Sequence, residues 1–256
     1  MPEGKPNAQV LDGCVTLAYR DINALCLKID HAKDAMKGSL FDVEKIEEHE
    51  LKVIDPWGSR FRIIEVNADD VVDTRGRQPG DMSEGLAMTD LTINVEKGTN
   101  LDGIARFYSC LFHASTVIIP GSLVVVKVGP IQTLTFLVKD CEGKVSHADL
   151  VESEEGIMNY GAHISMYIAD FPKTYDRAES LGVTYVNPRF KRRAYNKEEA
   201  IDQCMFRIID IVDPENVEEG SILKIEHEVR SVIKKDGSKY KSCPFDKVPD
   251  QCLTTS

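Results

Sequence analysis

The 256-residue chain is short of basic residues: 31 Lys and Arg stand against 42 Asp and Glu, a formal net charge of −11. General binding to nucleic acid or to an anionic membrane surface needs basic groups that neutralise phosphates, so neither partner is expected. Nor does any stretch approach the roughly 20 apolar residues that span a bilayer. The opening MPEGKPNAQ lacks the apolar run of a secretory leader, and the expected location is cytoplasmic. There is no CxxC pair among the seven cysteines, Cys14, Cys26, Cys110, Cys141, Cys204, Cys243 and Cys252. An odd, scattered set argues for free thiols in a reducing compartment, and against a disulfide framework or a zinc cluster. What is present is ordinary for a globular protein: 42% hydrophobic and 29% charged residues, with length enough for one or two domains. A small molecule is the expected ligand.

The stretch DPWGSRFRIIE, Asp55 to Glu65, shows how the chain is organised. Asp-Pro followed by Gly is turn chemistry, because proline sets φ, glycine supplies positive φ and the carboxylate can accept from nearby backbone N–H groups. Beyond it the residues alternate, with Phe61, Ile63 and Glu65 on one face of a strand and Arg60, Arg62 and Ile64 on the other. The turn therefore aims a strand.

Similar units recur. GCVTLAYRDI reads as a strand ending at the helix N-cap Asp21, Ala24 to Met36 as an amphipathic helix closed by Gly38, and FDVEKIEEHELKVI as two further strands before the turn. LAMTDLTINVEK, GTNLDGIARFYSCLF and STVIIPGSLVVVKVGPIQTLTFLV repeat strand, helix and strands. The order returns from GAHISMYIADF, through the helix PKTYDRAESLGV, the strand TYVNPRF and the polar excursion RRAYNKEEA, to CMFRIIDIVDPENVEEGSILKIEHEVRS. Such repeats usually exist because one copy cannot cover its own sheet. Val66 to Glu84 reads as a linker and the chain after Lys234 as an irregular tail.

DPWGSRFRIIE, FYSCLFHAS, GAHISMYIADF and DPENVEEGSILKIE together resemble the vicinal oxygen chelate superfamily of glyoxalases, bleomycin-resistance proteins and extradiol dioxygenases. The resemblance implies an α+β fold of repeated βαβββ modules that form curled, open mixed sheets with flanking helices. It implies a single module at 1–66, a linker at 67–85, a complete two-module domain at 86–231 and an irregular tail at 232–256. An unpaired N-terminal module would leave an uncovered sheet, so a homo-oligomer through that module, a homodimer in the simplest case, is expected.

Family enzymes hold a divalent metal at the start of the first strand and in the last strand of each module. Matching residue by residue, the resemblance implies His163, Asp90, Glu226 and Gln132 as ligands for Fe, Ni, Zn or Mn, whose open coordination positions would accept two substrate oxygens. Thr135 is a poor ligand, and Cys14 and Arg62 occupy ligand-like positions in the N-terminal module. Arg62 would instead welcome an anion. Lys224 shares a face with Glu226 and could pair with it, while Tyr167 and Phe136 would line the cavity. His113 is expected to cap a helix, His227 to face solvent, and Cys14 to be an inert thiol. Arg189, Lys191, Arg192 and Arg193 form either a solvated loop or an anion clamp.

Three functions stay open at this point. One is a metal-dependent lyase, isomerase or dioxygenase acting on a small oxygenated molecule held in the cavity of the curled sheet. The others are a metal-free sequestering module and a non-catalytic scaffold subunit.

Overall fold

The computed structural model of the protein describes residues 10–67, 85–139 and 145–238. Most of the expected linker, and the tail beyond residue 238, lie outside the described residues. Strand β1 (Gly13–Tyr19), helix α1 (Ile22–Ala32), a 3-10 turn and strands β2 (Asp42–Glu47), β3 (Glu50–Ile54) and β4 (Arg60–Glu65) form the first run. The second comprises β5 (Gly85–Val95), α2 (Leu101–Phe112), β6 (Thr116–Ile119), β7 (Leu123–Lys127) and β8 (Thr133–Val138). A hairpin of β9 (Leu150–Ser153) and β10 (Gly156–Asn159) precedes the third run. That run comprises β11 (His163–Ile168), α3 (Phe171–Ser180), β12 (Thr184–Tyr185), α4 (Lys197–Gln203), β13 (Met205–Val212) and β14 (Ser221–Ser231). Neither α4, which forms inside the expected polar excursion with Asn196 as its N-cap, nor the hairpin was read from the sequence.

The chain divides into two compact units, Met1–Lys97 with Val125–Gly143 and Gly98–Val124 with Lys144–Ser256. Through the first unit the sheet order is β2-β3-β4-β1-β5-β8-β7. β1 lies parallel to β4 and β5 parallel to β8, while the two first strands meet antiparallel as a seam. Gly13 makes the seam possible, since a Cβ there would sit 2.0 Å from the Thr92 carbonyl oxygen. β1 is thus hydrogen-bonded along both edges, to β4 and to β5, and the sheet runs across the expected boundary between 1–66 and 86–231. Alternation says which residues form strands, but it is silent on which edges meet.

Local chemistry behaves as the sequence indicates. Asp21 Oδ1 caps α1 by accepting from the Ala24 N–H at 2.8 Å, and Glu65 Oε2 accepts from the Ile22 N–H at 2.8 Å. At the Asp-Pro turn, Asp55 Oδ1 accepts from Trp57 and Ser59 N–H groups while Gly58 adopts φ 103°. α1 covers one sheet face, burying Ile22, Leu51 and Ile63 against Leu25, Ile29 and Val53, each burial contributing about 1.5–3 kcal/mol.

In the second unit the sheet order is β11-β14-β13-β12, with β11 parallel to β14 and β13 antiparallel to it. β13 is buried along almost its whole length. Phe206 on it meets Phe171 and Tyr175 of α3 edge-on, at 5.3 and 5.2 Å between centroids, the geometry favoured by aromatic quadrupoles. His113 caps α2 in the left-handed region at φ 55°, as its helix-end position implies. No helix among the described residues is long and apolar enough to cross a membrane.

Candidate functional site

In the first unit a polar row crosses four strands on the face opposite α1. Arg62 on β4 lies in register with Thr16 on β1, Thr16 with Asp90 on β5, and Asp90 with Thr133 on β8. One step along, Cys14 faces Thr92 and Thr92 faces Thr135. Asp90 is the anionic member, and its oxygens are taken by hydroxyls. Oδ1 accepts from Thr133 at 2.6 Å and Thr135 at 2.7 Å, and Oδ2 from Thr92 at 2.7 Å. Arg62 donates through Nε and Nη2 to both carboxylate oxygens of Glu50, at 2.9 and 2.7 Å. That pairing holds the Glu50 carboxyl below its usual range and does not engage Nη1. Burial pushes the Cys14 thiol up, which keeps it a poor nucleophile near neutrality.

The matching face of the second unit is charged. Glu226 on β14 is 1% exposed, and its Oε2 accepts from Asn159 Nδ2 at 2.9 Å and Asn187 Nδ2 at 2.8 Å. Its Oε1 accepts from Arg207 Nη1 at 2.5 Å. Arg207 also donates to Glu228, which takes Arg230 on its other oxygen. The Arg207 guanidinium lies 3.9 Å over the Phe190 ring, and its Nε has no hydrogen-bond partner. A buried cluster of this kind is stable only while every charge keeps its counter-charge.

The expected site residues separate accordingly. Asp90 and Gln132 lie in the first unit, Gln132 bonding the Met88 carbonyl at an exposed edge. His163 and Glu226 are register partners in the second, but His163 is exposed, with its ring 5.8 Å from Phe190. Within neither unit are the four expected ligands brought together, and no group of three or more His, Cys, Asp or Glu suited to a metal occurs among the described residues. The donor chemistry does not fit a divalent ion either: Asp90 is saturated by neutral hydroxyls in a row that also holds Arg62, and Glu226 by a guanidinium and two amides.

Three side chains lie otherwise than expected, and a fourth, Tyr167, keeps its face. Phe136 is fully buried in register with Ile93, on the opposite face from Thr133 and Thr135, so it belongs to the buried core. Lys224 pairs with Asp210 rather than Glu226, because a register shift in β13 sets Asp210 opposite it. Tyr167 stays on the polar face, in register with Arg230 and with its ring 6.0 Å from that guanidinium. His227 does turn away from Glu226, but that side is the helix side. It is completely buried, Nδ1 donating to the Ile225 carbonyl at 2.9 Å and Nε2 accepting from Tyr108 Oη at 2.6 Å. Burial lowers its pKa to about 4. Arg207, Glu228, Asn159 and Asn187 were missed. The available signal was one arginine in the apolar strand CMFRIIDIV.

No protein-family model matches the sequence, and no curated protein matches it. Among solved structures, a candidate dioxygenase from Bacillus subtilis subsp. subtilis str. 168 aligns over 97% of this chain and 72% of its own, at 15% identity and a TM-score of 0.50. Glyoxalase I from Zea mays aligns over 90% and 71%, at 12% identity and a TM-score of 0.45. The fosfomycin resistance protein FosX from Mesorhizobium loti aligns over 59% and 93%, at 16% identity and a TM-score of 0.32. The likeness to the Bacillus subtilis structure is one of fold, an α+β arrangement of mixed sheets with flanking helices.

Proposed function

We propose that the chain is a metal-free binding protein on the vicinal oxygen chelate fold, taking a small oxygenated anion at the polar row of the β1–β5 seam. The observation that supports this is the saturation of both inward carboxylates by donors of the chain itself. Displacing three threonine hydroxyls from Asp90, or a guanidinium and two amides from Glu226, sets their hydrogen bonds against any gain from coordination. Arg62 Nη1 suits a carboxylate or phosphate, while the hydroxyl lone pairs of Thr92, Thr133 and Thr135, whose protons go to Asp90, can accept from hydroxyl groups carried by the same molecule.

Elemental analysis after incubation with Fe(II), Ni(II), Zn(II) or Mn(II) and desalting tests the reading. Metal well below one ion per chain, equal in wild type and Asp90→Asn, is expected. Near-stoichiometric metal that disappears in Asp90→Asn or His163→Ala would overturn it in favour of a metal-dependent enzyme, for which the His163–Glu226 register is the best starting point.

A further inference from the structure

In the second unit, two pieces of chain outside the four-stranded sheet lie against its polar face. One is the loop at 187–194, whose Phe190 ring sits 3.9 Å from the Arg207 guanidinium. The other is the hairpin of β9 and β10, which among the described residues pair only with each other. The base of the hairpin is held firmly. There Asn159 is 1% exposed, its amide donates to Glu226, its Oδ1 accepts from the Asp149 and Gly161 N–H groups at 2.9 and 2.8 Å, and its carbonyl accepts from Asn187 Nδ2 at 3.1 Å. Towards the tip, none of Leu150, Val151, Ile157 and Met158 is buried, and a two-stranded hairpin by itself is marginal.

The tip is fastened by polar groups: Tyr185 Oη donates to the Ile157 carbonyl at 2.7 Å, and Arg193 Nη1 donates to Glu155 Oε2 at 2.6 Å. Arg193 also ties the loop. Its Nε donates to the Phe190 carbonyl at 2.8 Å, its Nη2 to the Pro188 carbonyl, and its guanidinium bonds the Tyr195 side chain. One ion pair thus joins the hairpin tip to the loop that sets Phe190 over Arg207. The Glu155 side chain is 64% exposed, and a pair so open to water is weak and screened by salt. The closed arrangement also carries a penalty. Arg207 is 5% exposed, with Nη1 and Nη2 taken by Glu226 and Glu228 while Nε meets no acceptor. The crevice beside it, lined by Tyr185, Asn187, Arg193 and Met205, is too tight for a water molecule. A buried donor without a partner is destabilising, and hydration would relieve it. We propose that the hairpin tip and the 187–194 loop form a cover, latched by Glu155 and Arg193, that opens and closes over Arg207 and so gates the polar face of this sheet. Opening strands no charge, because Arg207 stays between its two carboxylates.

The Arg207 Nε–H proton reports on the cover, because its exchange with solvent, followed by proton–nitrogen NMR of the full chain, requires water to reach it. In wild type at low salt, its protection should lie between that of an exposed arginine and that of the buried β13 amides. Added salt and Glu155→Gln should each speed its exchange by roughly two- to fivefold, with β13 protection unchanged. The salt response should vanish in the variant. The salt titration of wild type reads the latch even if Glu155→Gln does not fold. Protection equal to that of β13 at every salt concentration would overturn the proposal, since only unfolding would then expose Arg207. So would exchange as fast as that of an exposed arginine throughout, or a rate and salt response that Glu155→Gln leaves intact.

Discussion

The two sheets solve the same problem with different chemistry. Each carries a carboxylate on its polar face, Asp90 in the first and Glu226 in the second. Around Asp90 the donors are three neutral threonine hydroxyls. Around Glu226 they are two amides and a guanidinium that also holds Glu228. Hydroxyls rotate and can turn to another acceptor, whereas a guanidinium fixed between two buried carboxylates cannot leave without stranding Glu226 and leaving Glu228 to Arg230 alone. The hydroxyls of the first face can therefore change acceptors without stranding a charge. The second is a structural lock.

The largest test of that contrast is Arg207→Met. Leaving Glu226 buried without its counter-charge, and Glu228 with Arg230 alone, should cost about 3–5 kcal/mol, read as a large fall in the urea midpoint; a cost below about 1 kcal/mol would mean the cluster is hydrated and not a lock. Next comes pH. His227 is held neutral, its pKa lowered by burial from 6.5 to about 4, so between those values the unfolded chain binds a proton that the native state refuses. Stability is therefore full above about 6.5 and falls as pH drops towards 4, by on the order of 3 kcal/mol. NMR titration of the His227 ring checks this directly: a midpoint near 6.5 in the folded protein would refute it. Tyr108→Phe, which leaves His227 Nε2 without a donor, should cost a further 1–3 kcal/mol or so.

On the first face the expected effects are smaller. Asp90→Asn should cost about 1 kcal/mol, since the threonine hydroxyls can reorient towards an amide oxygen. A loss as large as that of Arg207→Met would erase the distinction between the faces. Arg62→Ala breaks a half-exposed pair with Glu50 and should change stability by less than about 1 kcal/mol, while weakening binding of small carboxylates or phosphates in a titration. Unchanged affinity would place the anion elsewhere.

Much of the architecture was readable in advance. The Asp-Pro-Trp-Gly turn, the Asp21 cap, the strands around Val15, Ile63 and Ile93 and the helices at α2 and α3 follow from turn chemistry and periodicity, which act within a few residues. The site was less legible. Phe136 and Thr135 are neighbours in sequence, and only the bonds from Thr133 and Thr135 to Asp90 reveal which of the two faces is polar. His227 looked solvent-facing because alternation separates faces without saying what covers them.

Residue order, through local propensity and alternation, established three strand-helix-strand runs and the acidic character of the chain. Edge-to-edge pairing joins residues far apart in sequence, such as Gly13 and Thr92. It was left to the folded chain to join β1 to β5 and to gather Arg207, Glu226 and Glu228 into one buried cluster, because such long-range contacts depend on which surfaces remain after every local element has formed.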